Sequence, residues 1–209
     1  MNYDVVIVAS GKGERAKLGY NKDFYIMKDG KSVLDHSVLL FCDDKDCKNV
    51  IVVTNEENFD KVLQNDKVKI TAGGKERKDS VYNGLKLSQS EYVFIHDGAR
   101  PFLKKEIVEA LKEKVVSDKA VCLGRMAVDT VKIVHEGKIE RTIDRNTVFL
   151  AETPQVFERK LILDCYARCE DVIFTDDASL VESMGHTVSI LIDPYDNRKL
   201  TRQEDFESL

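Results

Sequence analysis

Tyr92-Val93-Phe94-Ile95-His96-Asp97-Gly98-Ala99-Arg100-Pro101 decides the fold: a short apolar run ends in an acid, a glycine and a guanidinium. This is the pattern of a buried strand handing over to a polar loop. Open α/β sheets place their ligands at the carboxyl ends of the strands. The segment therefore reads as chemistry mounted on a strand end, where Asp97 and Arg100 could hold a divalent metal and a phosphate side by side.

Working outward, two more loops of similar character follow strand-like runs: Ser10-Gly11-Lys12-Gly13-Glu14-Arg15 and Gly73-Gly74-Lys75-Glu76-Arg77. Strands are expected at Val5 to Ala9, Val50 to Thr54, Val68 to Thr71, Tyr92 to His96, Ala120 to Leu123 and Thr187 to Ile192. Amphipathic helices lie between most of them. Ser32 is a capping residue ahead of Val33, Leu34, Val38 and Phe41; Val81 and Leu85 mark a second helix, and Ile107, Val108 and Leu111 a third. A last helix is expected from Thr201, which has capping-box spacing to Glu204. The alternation predicts an α/β sandwich around a mostly parallel sheet. One segment breaks it: Val131 to Val134 and Ile139 to Thr142 read as a hairpin folded about His135-Glu136-Gly137-Lys138. A two-stranded ribbon is marginal alone, so this arm, at about 129–147, is expected to pack on something, a second copy of the chain included.

The chain of 209 residues is expected to form a single domain, 1–209. Charged residues make up 33% and hydrophobic ones 43%, and no apolar run approaches the roughly 18–20 residues of a membrane span. The net charge of -5 comes without a basic stripe, which excludes the electrostatic footprint of a nucleic-acid binder. Five cysteines without paired C-x-x-C spacing argue against a disulfide framework and structural zinc. With no signal-peptide pattern at the start, the expected location is cytoplasmic.

In the first loop, Gly11 and Gly13 let the backbone approach a polyphosphate, while Lys12, Arg15 and Lys22 supply countercharge. A dinucleotide fingerprint is also present in loose form, but the acid it needs would have to end the second strand, and Asp29 and Asp35 flank a turn and a helix instead. Gly30-Lys31-Ser32 imitates a Walker A tail, yet Tyr25 stands where its leading glycine belongs. His96 has no second His or Cys at ligand spacing and reads as a hydrogen-bonded strand-end histidine. Asp196-Asn197-Arg198-Lys199 could add an acid and a base to the same crevice.

Taken together, these segments resemble the 2-C-methyl-D-erythritol 4-phosphate cytidylyltransferase family. The resemblance runs in order through Ser10 to Arg15, Gly73-Gly74 with Arg77-Lys78-Asp79-Ser80-Val81, His96 to Phe102, Asp129-Thr130-Val131-Lys132, Thr142-Ile143-Asp144-Arg145, Thr153-Pro154-Gln155-Val156-Phe157, Thr175-Asp176-Asp177-Ala178-Ser179 and Asn197-Arg198-Lys199-Leu200-Thr201. It implies a Rossmann-like nucleotidyltransferase three-layer sandwich, a homodimer clasped through the hairpin arm, and a Mg2+-dependent reaction of CTP with a sugar-alcohol phosphate. By the same resemblance Arg15 and Lys22 neutralise the triphosphate, aided at the reacting centre by Lys199. Ser10, Gly11, Lys12, Gly13, Gly74, Ser80 and Gly98 hold the nucleotide. Asp97 binds the metal with Asp196 as a second acid. Arg100, Thr130, Arg145, Thr153 and Lys199 surround the methylerythritol phosphate, Thr130 and Arg145 coming from the partner's arm.

The chain departs from the family pattern in four places. Asn21-Lys22-Asp23 stands for Pro-Lys-Gln, Ser10 for an alanine, Lys75 for an acid and Glu152 for a glutamine. An acid beside Lys22 could pair with its amine and weaken its hold on phosphate. Two alternatives remain open at this level: a ribitol 5-phosphate cytidylyltransferase, and a CTP-binding homologue without turnover.

Overall fold

The computed structural model describes residues 1–11, 13–169 and 172–207. Seven strands form one sheet in the order β3-β2-β1-β4-β8-β5-β9, comprising β1 (Tyr3–Val8), β2 (Cys47–Thr54), β3 (Val68–Ala72), β4 (Tyr92–Asp97), β5 (Ala120–Met126), β8 (Phe149–Glu158) and β9 (Ser189–Ile192). Every pairing is parallel except those of β8, which runs antiparallel to both β4 and β5. The chain winds outward from β1 through β2 to β3, then returns to the other side of β1 for β4. That reversal opens a crevice between β1 and β4 at their carboxyl ends, the switch point where α/β sheets take ligands. Val8 pairs with Asp97 at its lip.

Alternation along the strands builds two cores. Val5 and Ile7 of β1 and Phe94 of β4 pack against Leu34, Val38 and Phe41 of α1 (Val33–Cys42) and Ile107, Val108 and Leu111 of α3 (Lys105–Asp118). On the other face Val6, Val93 and Ile95 meet Val81 and Leu85 of α2 (Arg77–Leu87), Ile162 of α4 (Arg159–Tyr166) and Leu180 and Val181 of α5 (Asp177–Ser183). The result is the expected three-layer sandwich. Ser32 caps α1 as expected, accepting from the Asp35 N–H while the Asp35 side chain accepts from Ser32 N–H, a reciprocal box that fixes where the helix begins.

β8 is not among the expected strands; Pro154 interrupts it, and proline is foreign to the interior of a central strand. The structure tolerates it through a bulge. Gln155 pairs with Cys122 and Ala151 with Gly124, so residues 152–154 leave the ladder and Pro154 needs no hydrogen-bond partner. The Thr153–Pro154 peptide is cis.

The hairpin forms as expected, from β6 (Val131–His135) and β7 (Lys138–Ile143), a two-stranded sheet of its own. Glu136 and Gly137 both take positive φ at its turn, as the twist of a tight hairpin requires. The last helix, α6 (Glu204–Glu207), starts three residues later than expected. Asp205, not Glu204, reaches back to accept from the Thr201 and Arg202 N–H groups. Phe206 of that turn meets the Tyr25 ring at a tilt, centroids 5.0 Å apart, and packs with Ala16, Val33 and Leu200. This small core lays the carboxyl-terminal segment over the first loop.

Candidate nucleotide site

At the switch point the structure holds a cavity of about 650 Å³, within the range of small-ligand sites. Its floor is Asp97, the last residue of β4. The Asp97 N–H donates to Thr153 Oγ1 at 3.0 Å, while Asp97 Oδ2 accepts from Lys199 Nζ at 2.8 Å. Arg77 Nη2 lies 3.6 Å from Oδ1 and Arg100 Nε 3.6 Å from Oδ2. Burial alone would raise this carboxyl, but Lys199 and Arg77 overcome it and hold it far below the usual carboxylate range. Asp97 is thus a permanent anion facing the cavity.

His96 shows why that aspartate is placed so firmly. Its Nε2 can only donate to the Arg100 carbonyl at 3.2 Å, which leaves Nδ1 as acceptor for the Thr153 hydroxyl at 3.2 Å. Burial pushes the imidazole down to about 4, keeping it neutral. The ring is a strand-end strut, as expected.

The walls come from the three anticipated loops. Ser10, Gly11, Gly13, Arg15, Lys22, Gly74, Ser80, Asp97 and Lys199 all line the cavity. Lys12 lies outside the described residues. Ser80 Oγ accepts from Ser10 Oγ at 3.0 Å and from Gly74 N–H at 3.0 Å, tying the first loop to the start of α2. A Cβ on Gly73 would stand 2.5 Å from that of Ser10, so only glycine lets the two loops touch.

Lys22 is not paired with the acid beside it. Its Nζ donates to the Leu200 carbonyl, and no ion pair between Lys22 and Asp23 forms among the described residues. Burial lowers its pKa, with Lys199 and Arg15 adding to the effect against Asp23. Asp23 is itself buried, at 4% exposure, with Oδ1 lacking a hydrogen-bond partner among the described residues. Burial raises it to about 7 against the pull of Lys22, and repulsion from Asp97 adds to the rise.

Several expected ligands take other roles. Gly98 is not part of the lining: its N–H donates to the Val8 carbonyl, and a Cβ there would come 3.1 Å from that of Ala9. Packing at the crevice, rather than nucleotide contact, accounts for that glycine. Asp196 is also absent from the lining, because its carboxylate holds its own turn, accepting from Arg198 N–H and Nη1. Arg100 is buried behind Asp97, donating to the Asn197 carbonyl at 2.8 Å, with Glu152 4.0 Å away. Thr153 sits beside it as the acceptor for Asp97 N–H. Thr130 and Arg145 are exposed at the arm, where Arg145 Nη1 donates to the Val128 carbonyl.

Arg77, the last residue of the Gly73-Gly74-Lys75-Glu76-Arg77 segment, has a part that the segment itself does not announce. It bridges Asp97 and the fully buried Asp177, at 2.9 Å from Asp177 Oδ2. Tyr166 donates to the other oxygen of Asp177 at 2.6 Å. Two sequence-distant motifs are thereby joined, a link that spacing along the chain does not reveal.

Among the described residues no cluster of three His, Cys, Asp or Glu forms a preassembled metal cage. None of the described helices is long and apolar enough to cross a membrane.

Comparison with known proteins agrees with this arrangement. Residues 3–208 match the family described as 2-C-methyl-D-erythritol 4-phosphate cytidylyltransferase. Proteins of that name from Clostridioides difficile and Bacillus licheniformis are 37% and 40% identical to this chain, covering 97% and 98% of it and 90% and 93% of their own lengths. A 4-diphosphocytidyl-2C-methyl-D-erythritol synthase from Anaerococcus prevotii superposes with a TM-score of 0.87 at 28% identity, over 99% of this chain and 93% of its own.

Proposed function

The chain belongs to the 2-C-methyl-D-erythritol 4-phosphate cytidylyltransferase family, and from that premise we propose that it joins the cytidylyl group of CTP to 2-C-methyl-D-erythritol 4-phosphate, releasing pyrophosphate. The observation that carries this reading is the basic cavity built around Asp97 at the β1–β4 switch point.

The acceptor phosphate attacks the α-phosphorus in line with the departing pyrophosphate, so two anions must be brought together and the charge on the equatorial oxygens offset. Arg15 and Lys22 are placed to do this from the first loop, with Lys199 opposite them on the carboxyl-terminal segment. Held by the Leu200 carbonyl, the Lys22 ammonium is oriented before substrate arrives; preorganised donors of this kind need no rearrangement at the transition state. Ser10, Gly74 and Ser80 shape the wall for the nucleotide. No covalent nucleophile is called for.

A divalent cation, Mg2+ in our reading, neutralises phosphate charge when bound. The residues fit such an ion: Asp97 offers a permanently ionised oxygen donor inside the cavity, and Mg2+ commonly takes one or two carboxylates and fills its remaining positions with phosphate oxygens and water. Asp97 would hold it.

The arm points to a homodimer. Val134 and Ile139 are 58% and 65% exposed, and a lone ribbon needs something to cover it. A partner's arm would bring Thr130 and Arg145 to the methylerythritol phosphate. We place the enzyme in the cytoplasm, in keeping with five free cysteines.

The test is pyrophosphate release from CTP with methylerythritol 4-phosphate or ribitol 5-phosphate as acceptor, with Mg2+ or chelator. Metal-dependent release with the first acceptor alone is expected. Release with ribitol phosphate alone would move the enzyme to another acceptor, and silence with both would refute turnover.

A further inference from the structure

Asp23 stands where it has no obvious business. It lines the same cavity as Lys22 and Asp97, yet it is 96% buried and its Oδ1 has no hydrogen-bond partner among the described residues. Its position is not accidental. Asn21 clamps the turn, donating from Nδ2 to the Ala9 carbonyl at 2.6 Å and accepting Asp23 N–H on Oδ1 at 3.0 Å. Phe24 and Tyr25 close the same turn through their N–H groups onto Asn21 and Lys22 carbonyls. The backbone is therefore committed, and the carboxyl stays at the cavity wall.

No neighbouring cation pairs with it among the described residues. Lys22 turns to the Leu200 carbonyl and Lys199 to Asp97, so among the described residues Asp23 takes part in no ion pair. Asp97, a carboxyl of like sign, lines the same cavity. A buried carboxylate without a partner is costly, and a hard cation held at Asp97 in the same cavity would relieve it. Glutamine would serve an amide role at this position; an aspartate brings a second oxygen anion in its place.

We propose that Asp23 is the second protein ligand of the divalent cation that enters with CTP, so that the ion is held by two carboxylates of this chain, Asp23 from the turn after β1 and Asp97 from the end of β4. This rests on the cytidylyltransferase reading of the cavity. Phosphate oxygens and water complete the shell, which explains why two acids suffice without a preassembled cage. Asp196, committed to its own turn, is not needed.

The experiment is Mn2+ binding followed by the electron paramagnetic resonance signal of the free ion. Wild type, Asp23→Asn and Asp97→Asn are titrated with and without α,β-methylene CTP, and nucleotide affinity is measured separately in metal-free buffer. Asp23→Asn is expected to weaken Mn2+ binding in the nucleotide complex by about 10–100-fold, comparable to other losses around metal sites, while metal-free nucleotide affinity stays the same or rises. Asp23→Ser serves as a second variant, with circular dichroism to verify folding. Wild-type Mn2+ affinity in a folded Asp23 variant that still binds the nucleotide would overturn the role of Asp23 alone. A wild-type protein that binds neither nucleotide nor Mn2+ would overturn the cytidylyltransferase reading and this proposal with it.

Discussion

The two ends of the central sheet each carry a cluster of charged side chains, and they are built on opposite plans. At the amino end, Lys112 lies 3.0 Å from Asp44, 2.8 Å from Asp46 and 2.7 Å from Glu109. Asp44 also accepts from Tyr3 Oη and from Asp46 N–H, both at 2.9 Å. Each of these contacts closes on another, and Tyr3 continues into the aromatic packing of Phe41 and Phe94. At the carboxyl end, Arg15, Lys22, Lys75, Arg77 and Lys199 line the cavity against Asp23, Glu76 and Asp97. Cations outnumber acids there, and one acid has an oxygen with no partner. A closed cluster stabilises a fold; an open one with excess positive charge is prepared for anions and the metal that travels with them.

The largest effect that would test this contrast is on turnover. Lys22→Ala is expected to lower kcat by about 10²–10³-fold, the range for losing one preorganised charge contact, with the melting temperature close to wild type. Retained activity would break the comparison at its carboxyl end. Lys112→Ala should do the reverse, costing about 3 kcal/mol by leaving carboxylates without their cation. That corresponds to a melting temperature lower by roughly 6–12 °C for a chain of this size, with kcat unchanged below the transition. Thermal denaturation of both variants beside steady-state kinetics decides it.

A smaller effect is expected where, on the proposed homodimer, the site would depend on another copy of the chain. Arg145 is exposed, its Nη1 donating to the Val128 carbonyl at the base of its own arm. Arg145→Ala should raise the apparent KM for the methylerythritol phosphate about tenfold (~1.4 kcal/mol) and spare kcat, since it removes binding common to ground and transition states. Mixing inactive Lys22→Ala chains with Arg145→Ala chains should restore part of the lost activity in hybrid dimers. Absence of rescue would confine the site to one chain.

The open cluster was also the more legible of the two in sequence. Glycine, acid and base in loops after apolar runs announce a ligand site because such loops need special backbone and local charge, and His96 to Arg100 did so through composition alone. The closed cluster gave no such signal, since Lys112 of α3 stands 68 and 66 positions from Asp44 and Asp46, which lie between α1 and β2. For the same reason the Arg77–Asp177–Tyr166 chain was invisible: its members meet only after α2, α4 and α5 pack on one face. Asp196 and Gly98 differ in the opposite direction, since neither lines the cavity. Their residue types suit a ligand site, but a local turn and close packing had already claimed them. β8 was hidden by Pro154 until its bulge showed how a proline fits.

The smallest prediction asks whether the two ends differ in the sign of their response to pH. At the amino end, burial would raise Asp44, but hydrogen bonds from Asp46 N–H and Lys112 prevail, and both Asp44 and Asp46 lie below the ordinary carboxylate value. Depressed carboxyls contribute stability that is present above the unfolded value, about 3.9, and is lost as the pH falls through the native values. Asp23 works the other way. With its native value pushed up to about 7 by burial, the native state binds more protons than the unfolded chain between about pH 4 and 7, so metal-free stability declines as the pH rises through that window. Asp23→Asn should therefore raise the metal-free melting temperature at pH 8 by about 2–4 °C, or ~1 kcal/mol, and leave it near wild type at pH 4. Lys112→Met should instead flatten the acid limb below pH 4. If Asp23→Asn melts like wild type at both pH values, the unpartnered carboxyl carries no strain and the two ends are less different than their geometry indicates.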